Sequence, residues 1–168
     1  LSTYESELPL RSLAIADTGA PLLALLPVLR STPHIARLDI SRNTFNPGKT
    51  GERLDILPLT MHELTYVGAA RVGLNGVTIE GFLTAFTTAR VSAGLVSSDA
   101  QLSVDVSDNV LGIDGGAGVA RMCLSLKCIT ELDLTGCRIP AAQLASVFEA
   151  LGDGHYMRRL WLGRNVGS

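Results

Sequence analysis

The chain has 168 residues, 46% of them hydrophobic and only 5% aromatic. That apolar content excludes an intrinsically disordered chain, and it requires a core built from Leu, Val, Ile and Ala. Fourteen Lys and Arg against sixteen Asp and Glu leave a formal charge of −2, so no bulk charge favours nucleic acid or an anionic membrane as partner.

In chain order, one pattern recurs six times. It places apolar residues at slots 1, 4 and 6 and a small hydrogen-bonding residue at slot 9. Leu10, Leu13, Ile15 and Thr18 give the first copy, and Ile35, Leu38, Ile40 and Asn43 the second, extended by Phe45. Leu64, Val67, Ala69 and Val72 follow, with Leu74. Gln101, Val104, Val106 and Asn109 come fourth with Leu111, their first slot being polar. Ile129, Leu132, Leu134 and Cys137 lead into Ile139, and Met157, Leu160, Leu162 and Asn165 end the series. Slot 9 falls at 18, 43, 72, 109, 137 and 165, in steps of 25, 29, 37, 28 and 28 residues. The alternation at slots 4 and 6 is that of a short strand with one buried face. An asparagine at slot 9 can bond the backbone of the turn leaving that strand. Cys137 and Thr18 can do so only weakly and Val72 not at all, which makes the third copy the least regular.

Helical spacing fills the gaps between copies. Pro21 opens one helix, with Leu22, Leu25, Leu26 and Leu29 inward. Thr78 is placed to cap a second, burying Phe82, Leu83 and Phe86. Val119, Met122, Cys123 and Leu126 line a third, while Pro140 starts a fourth through Leu144, Val147, Phe148 and Leu151. Strand, turn and helix in a unit of ~28 residues predict an α/β leucine-rich repeat solenoid of the ribonuclease-inhibitor-like class. This is a right-handed β-α superhelix with parallel strands on its concave face and helices on its convex face. The 37-residue step holds an insertion, placed at Ser97 to Gln101. Residues 1–168 are expected to form one repeat domain of about six units without terminal caps, a segment of a longer solenoid.

Site chemistry is sparse. Asn43 to Thr50 ends in the Gly-Lys-Thr of a phosphate-binding loop, but Asn43 stands at the motif's first glycine and Pro47 removes a backbone donor. Gly112 to Gly118 is rich in glycine without an ordered dinucleotide fingerprint, and its small residues suit close helix packing. Cys123, Cys128 and Cys137 are odd in number, follow no recognisable secretory signal and lack zinc-site spacing, so they read as reduced, buried thiols. His34, His62 and His155 have no legible triad partners. No catalytic, cofactor-binding or metal-binding residue is therefore expected. The longest apolar stretch, Ala20 to Leu29, falls well short of the ~20 residues of a membrane span.

What remains is the strand face pointing away from the leucines. Slot 3 carries Ser12, Arg37, Tyr66, Ser103, Glu131 and Arg159, and slot 5 carries Ala14, Asp39, Gly68, Asp105, Asp133 and Trp161. Slot 7 is small, and slot 8 adds Asp17, Arg42, Arg71, Asp108 and Arg164. Asp105 and Asp133 would stand ~5 Å apart on adjacent strands. Arg159, Trp161 and Arg164 share the last copy, and Trp and Arg are enriched at binding hot spots. Arg37, Asp39, Tyr66, Asp105, Glu131, Asp133, Arg159, Trp161 and Arg164 are the candidate protein-binding residues.

Three stretches resemble the CARMIL family: Leu102-Ser103-Val104-Asp105-Val106-Ser107-Asp108-Asn109 before a glycine-rich helix start, Arg37-Leu38-Asp39-Ile40-Ser41-Arg42-Asn43, and Leu160-Trp161-Leu162-Gly163-Arg164-Asn165. Leu10 to Asp17 and Ile129 to Leu134 extend the likeness along the chain, which also shares one over-long repeat. The resemblance implies a cytoplasmic scaffold near the cell cortex that regulates actin assembly and binds capping protein. The capping-protein motifs of that family lie outside its repeats, and none is present here. Self-association and docking of protein partners are the expected roles of the repeats. An innate-sensor or inhibitor-type domain gripping one partner by its concave face is the alternative, for which Tyr66 and Trp161 are thin aromatic support. An enzyme is the third choice, resting on the Asn43 to Thr50 loop.

Overall fold

A computed structural model describes residues 10–19, 27–29, 31–32, 34–43, 63–96, 100–152 and 156–165. Six short strands, β1 (Ser12–Ala14), β2 (Arg37–Asp39), β3 (Tyr66–Gly68), β4 (Leu102–Asp105), β5 (Ile129–Asp133) and β6 (Arg159–Trp161), form one sheet in sequential order. Every neighbouring pair is parallel, and residues of equal slot face each other, as in Leu38 opposite Val67 opposite Val104. Three helices are described in full: α1 (Gly76–Ser92), α2 (Gly112–Ser125) and α3 (Ala141–Ala150). The chain is thus an α/β protein with a parallel sheet, whose strands β3 to β6 are joined through helices. Among the described residues no helix is long and apolar enough to cross a membrane.

One continuous core lies between strands and helices. Leu38, Val67, Val104 and Leu132 point from the sheet into it, and Phe82, Leu83, Phe86, Val119 and Met122 meet them from the helices. Several expectations need correction. Thr78 does not head α1: Asn75 does, its side chain accepting from the Thr78 amide while the Thr78 hydroxyl accepts from the Asn75 amide, a reciprocal capping box. Phe148 is 54% exposed rather than buried. Gln101 is exposed, and its polar slot is filled by Leu102, which lies opposite Ile129 at a register shift in β4. Adding one residue to the partner strand lets an apolar side chain reach the core where a polar one stood. The Asn43 to Thr50 motif beyond Asn43, the start of the helix at Pro21, His62, His155 and residues 97–99 lie outside the described residues.

Slot 9 ties the turns together. Asn109 is 1% exposed. Its Oδ1 accepts from the amides of Val72 and Leu74 at 3.1 Å, and its Nδ2 donates to the carbonyls of Ala69 and Val106 at 2.8 Å. Asn43 does the same for Thr18, Ile15 and Ile40, and Asn165 for Ile139, Leu134 and Leu162. Each amide thus closes its own turn and the one before it. Cys137 supplies one such bond, its thiol donating to the Val106 carbonyl at 3.2 Å. Val72 contributes no side-chain polar group, but its buried amide is served by Asn109, and β3 keeps its register on both sides.

The long repeat is closed by a residue that sequence analysis did not single out. Arg90, in the last turn of α1, is 1% exposed. Its guanidinium donates to the carbonyls of Leu64 at 2.5 Å and Ala100 at 2.7 Å and lies over the Phe86 ring. It clamps the chain entering β3 to the chain entering β4. Ile79, Phe82, Leu83, Phe86 and Arg90 share one stripe of α1 at 3–4-residue spacing, a signal that marks position 90 as buried.

Glycines set how closely the helices approach. A Cβ on Gly116 would stand 2.7 Å from Gln143 Cβ and 2.9 Å from Ile139 Cγ2, whereas one on Gly81 would meet nothing within 4 Å. Gly81→Ala should therefore raise stability by up to ~1 kcal/mol through helix propensity. Gly116→Ala should lower it by ~1–2 kcal/mol, because overpacking outweighs the same gain. Asn109→Ala strands several buried backbone groups and should cost about 3 kcal/mol or more, with Thr84→Ala on the exposed side of α1 within ~0.5 kcal/mol of the parent. Urea unfolding followed by circular dichroism checks all four.

Candidate functional site

The face of the sheet opposite the core is open, and its side chains alternate with the leucine positions as strand geometry requires. One row across β2 to β6 reads Asp39, Gly68, Asp105, Asp133, Trp161, and the next reads Arg37, Tyr66, Ser103, Glu131, Arg159. The structure therefore brings the candidate residues of slots 3 and 5 into two adjacent rows on one surface.

The carboxylates have a local task. Oδ1 of Asp39, Asp105 and Asp133 accepts from the amide two residues on, that of Ser41, Ser107 and Thr135, at 2.8–3.0 Å. These Asx-type bonds start the turns. The second oxygen of each carboxylate has no hydrogen-bond partner among the described residues. At the β5–β6 end the charges are already matched. Arg159 pairs with Glu131 at 2.9 Å, and Arg164 pairs with Asp108 at 2.9 Å, two rungs away. Trp161 is 43% exposed at the edge of that group.

At the centre, β3 contributes Gly68 where its neighbours carry aspartates. A Cβ there would lie 2.8 Å from both Asp39 Oδ1 and Tyr66 Oη, so the absence of a side chain lets a carboxylate and a phenol close over Gly68. Arg37 stacks over the Tyr66 ring at 4.5 Å from its centroid. Burial, then the negative fields of Asp39 and Asp105, push the Tyr66 phenol above its ordinary value, with Arg37 opposing them.

Sequence analysis missed the backbone state of slot 8. Asp17, Arg42, Arg71, Asp108 and Arg164 all have φ between 52° and 59°, and Gly136 has φ 69°. Every rung leaves its strand through the left-handed region, at a cost of order 1 kcal/mol for a residue with a Cβ. Asp17, Asp108 and Gly136 are residue types found there, but the three arginines hide the pattern, because arginine is not a residue the left-handed region favours. Arg42 and Arg71 have no side-chain partner among the described residues.

The other chemical candidates scatter. Cys123, Cys128 and Cys137 are buried thiols, and burial pushes Cys123 and Cys137 up to about 12. Cys128 Sγ lies against the Leu95 carbonyl and Cys137 Sγ against that of Val106. Among the described residues no group of three or more His, Cys, Asp and Glu could hold a metal ion. His34 Nδ1 meets Glu63 Oε1 at 2.9 Å, with Arg11 on the other oxygen at 2.9 Å. The His34 hydrogen bond is the main cause holding the Glu63 carboxyl below its usual range. This bridge spans the first three copies at the edge where the strands begin.

The Tyr66 environment gives a testable pH dependence. A raised phenol pKa means that the unfolded chain ionises first, so this contribution to stability is complete below pH ~10 and is lost as pH rises through the higher folded value. The difference in phenolate absorbance between the parent and Tyr66→Phe should place the titration above pH ~10, and Asp39→Asn should lower it.

No protein-family model matches the chain, and no curated protein matches it; the functional assignment rests on the chemistry of this open face.

Proposed function

We propose that the chain is a leucine-rich repeat solenoid segment acting as a non-enzymatic scaffold that docks a protein partner on its concave, strand-lined face. The observation that carries this reading is a wide ladder of charged and aromatic side chains held in rows by fixed strand register, with several polar groups left without a partner among the described residues. The slot-9 amide ladder supports the repeat assignment, since each turn shares its bonds with the next. The residue resemblance to CARMIL-type actin regulators supports placing the segment in a cytoplasmic regulator of actin assembly and capping protein. The surface is charged more than aromatic, which favours a docking scaffold over a tight inhibitor-type grip.

A photo-crosslinking amino acid at Ala14 on the strand face, compared with one at Thr84 on the outside of α1, tests this. The reading expects protein adducts in cells from Ala14 and none from Thr84, with the adducts lost when Asp105→Asn, Asp133→Asn and Trp161→Ala are combined. Adducts from Thr84 alone, or from neither position, overturn it. Partners unrelated to actin would overturn the cytoskeletal part and leave the docking role standing.

A further inference from the structure

The open face carries two kinds of charge side by side. A cavity of about 520 Å³ over the first four rungs is lined by Asp39, Asp105 and Tyr66 in the strand rows and by Arg42 and Arg71, flanked by Asp17 and Asp108, in the turn row. Beneath its wall, Asp39 Oδ1 and Tyr66 Oη close over Gly68, each 2.8 Å from where a Cβ would stand. Asp39 and Asp105 each commit one oxygen to a turn amide. Among the described residues their other oxygens, the Tyr66 hydroxyl and both guanidinium groups have no hydrogen-bond or ion-pair partner. Arg42 and Arg71 sit on adjacent rungs, at φ 59° and 52°, where glycine would be less strained. By contrast, the arginines of the last rung, Arg159 and Arg164, are paired with Glu131 and Asp108. The polar groups of the face are internally matched at one end and unmatched over Gly68.

We infer that this cavity is the docking site for an extended peptide segment of a partner protein bearing a basic and an acidic side chain two residues apart. The inference rests on the docking role proposed above and specifies its ligand. The basic side chain lies between Asp39 and Asp105, beside the Tyr66 hydroxyl, and the acidic one reaches Arg42 and Arg71. The two rows are three residues apart along each strand, about 7–10 Å. Side chains i and i+2 of an extended peptide lie on one face about 7 Å apart, which matches that separation. A free amino acid, with ammonium and carboxylate on one carbon, is too short to meet both rows. A polyanion would face Asp17, Asp39, Asp105 and Asp108 along with the two arginines, so the cavity disfavours it.

The test is a synthetic array of short peptides in a Gly-Ser background, overlaid with the whole chain. The peptides carry Lys or Arg alone, Asp or Glu alone, or both at spacings of one to five residues. Binding should concentrate on the basic-x-acidic spacing and weaken as salt is raised. NMR titration of the best peptide should shift the amides of Gly68, Ala70 and Arg71. Asp39→Asn with Asp105→Asn keeps the amide acceptors of both turns while removing the charge, and Arg42→Asn with Arg71→Asn keeps a residue tolerant of positive φ. Each pair should weaken that peptide by about tenfold or more. Gly68→Ala should do the same by displacing the Asp39 carboxylate and the Tyr66 hydroxyl, while Thr84→Ala leaves binding unchanged. Retention of binding in both paired variants overturns the inference, as does a preference for one charge alone or no peptide binding. If no peptide binds while crosslinks from Ala14 persist, the bipolar cavity is wrong and the docking role survives. Loss of both overturns the two together.

Discussion

A buried asparagine amide at the exit of a strand is the interaction on which the rest of this structure depends. Its carbonyl oxygen and its NH₂ group match the two amides and two carbonyls that consecutive turns leave unsatisfied. An unpaired buried polar group costs ~1–3 kcal/mol, so a side chain that satisfies four of them decides whether two turns can stack dry. Once the turns stack, the strands are held at constant register, and the apolar slots fall into line without any of them specifying the spacing. The leucines supply the burial, but burial is non-directional and would tolerate slippage. The amides are what make each rung meet the next at one fixed offset.

The irregular places show how the same constraint is met by other means. Val72 offers no polar group, yet β2 and β3 keep their register, and the Ile40 carbonyl is met by Asn43 of its own turn. Cys137 substitutes one sulfur-to-carbonyl bond. The longest step, 37 residues between Val72 and Asn109, has a further tie. Arg90 fills that role with a fully buried guanidinium on two carbonyls. Removing such a charge from water is expensive, and an arginine is retained there because its fork of donors satisfies two separated chain segments at once.

The open face inherits its chemistry from this frame. Fixed register lines up Asp39, Gly68, Asp105 and Asp133, and the left-handed turn after each strand projects slot 8 along the adjoining edge. Where acidic and basic residues of different rungs can reach one another, as Asp108 and Arg164 do, the charges neutralise within the molecule. Over β3, Arg42 and Arg71 form no such pair among the described residues: Asp108 beside Arg71 is taken by Arg164. A surface made of identical rungs thereby acquires one chemically distinct place.

The amino-acid sequence by itself determined the six strands, the core faces of the helices and the two rows of outward residues. Each follows from a period of two or of 3.6, and such periods survive without coordinates. It also marked slot 9, since asparagine at the end of an alternating run has a backbone partner to find. The N-cap at Asn75, the exposure of Phe148 and the shift that exchanges Gln101 for Leu102 were decided locally, by one- or two-residue differences that periodicity does not resolve. Tertiary structure alone decided the burial partners of Arg90, the left-handed state of slot 8, and which charges on the open face are neutralised. Those depend on distances between residues 10 to 56 positions apart in the chain, and electrostatic pairing falls off with distance in space, of which sequence separation is no measure.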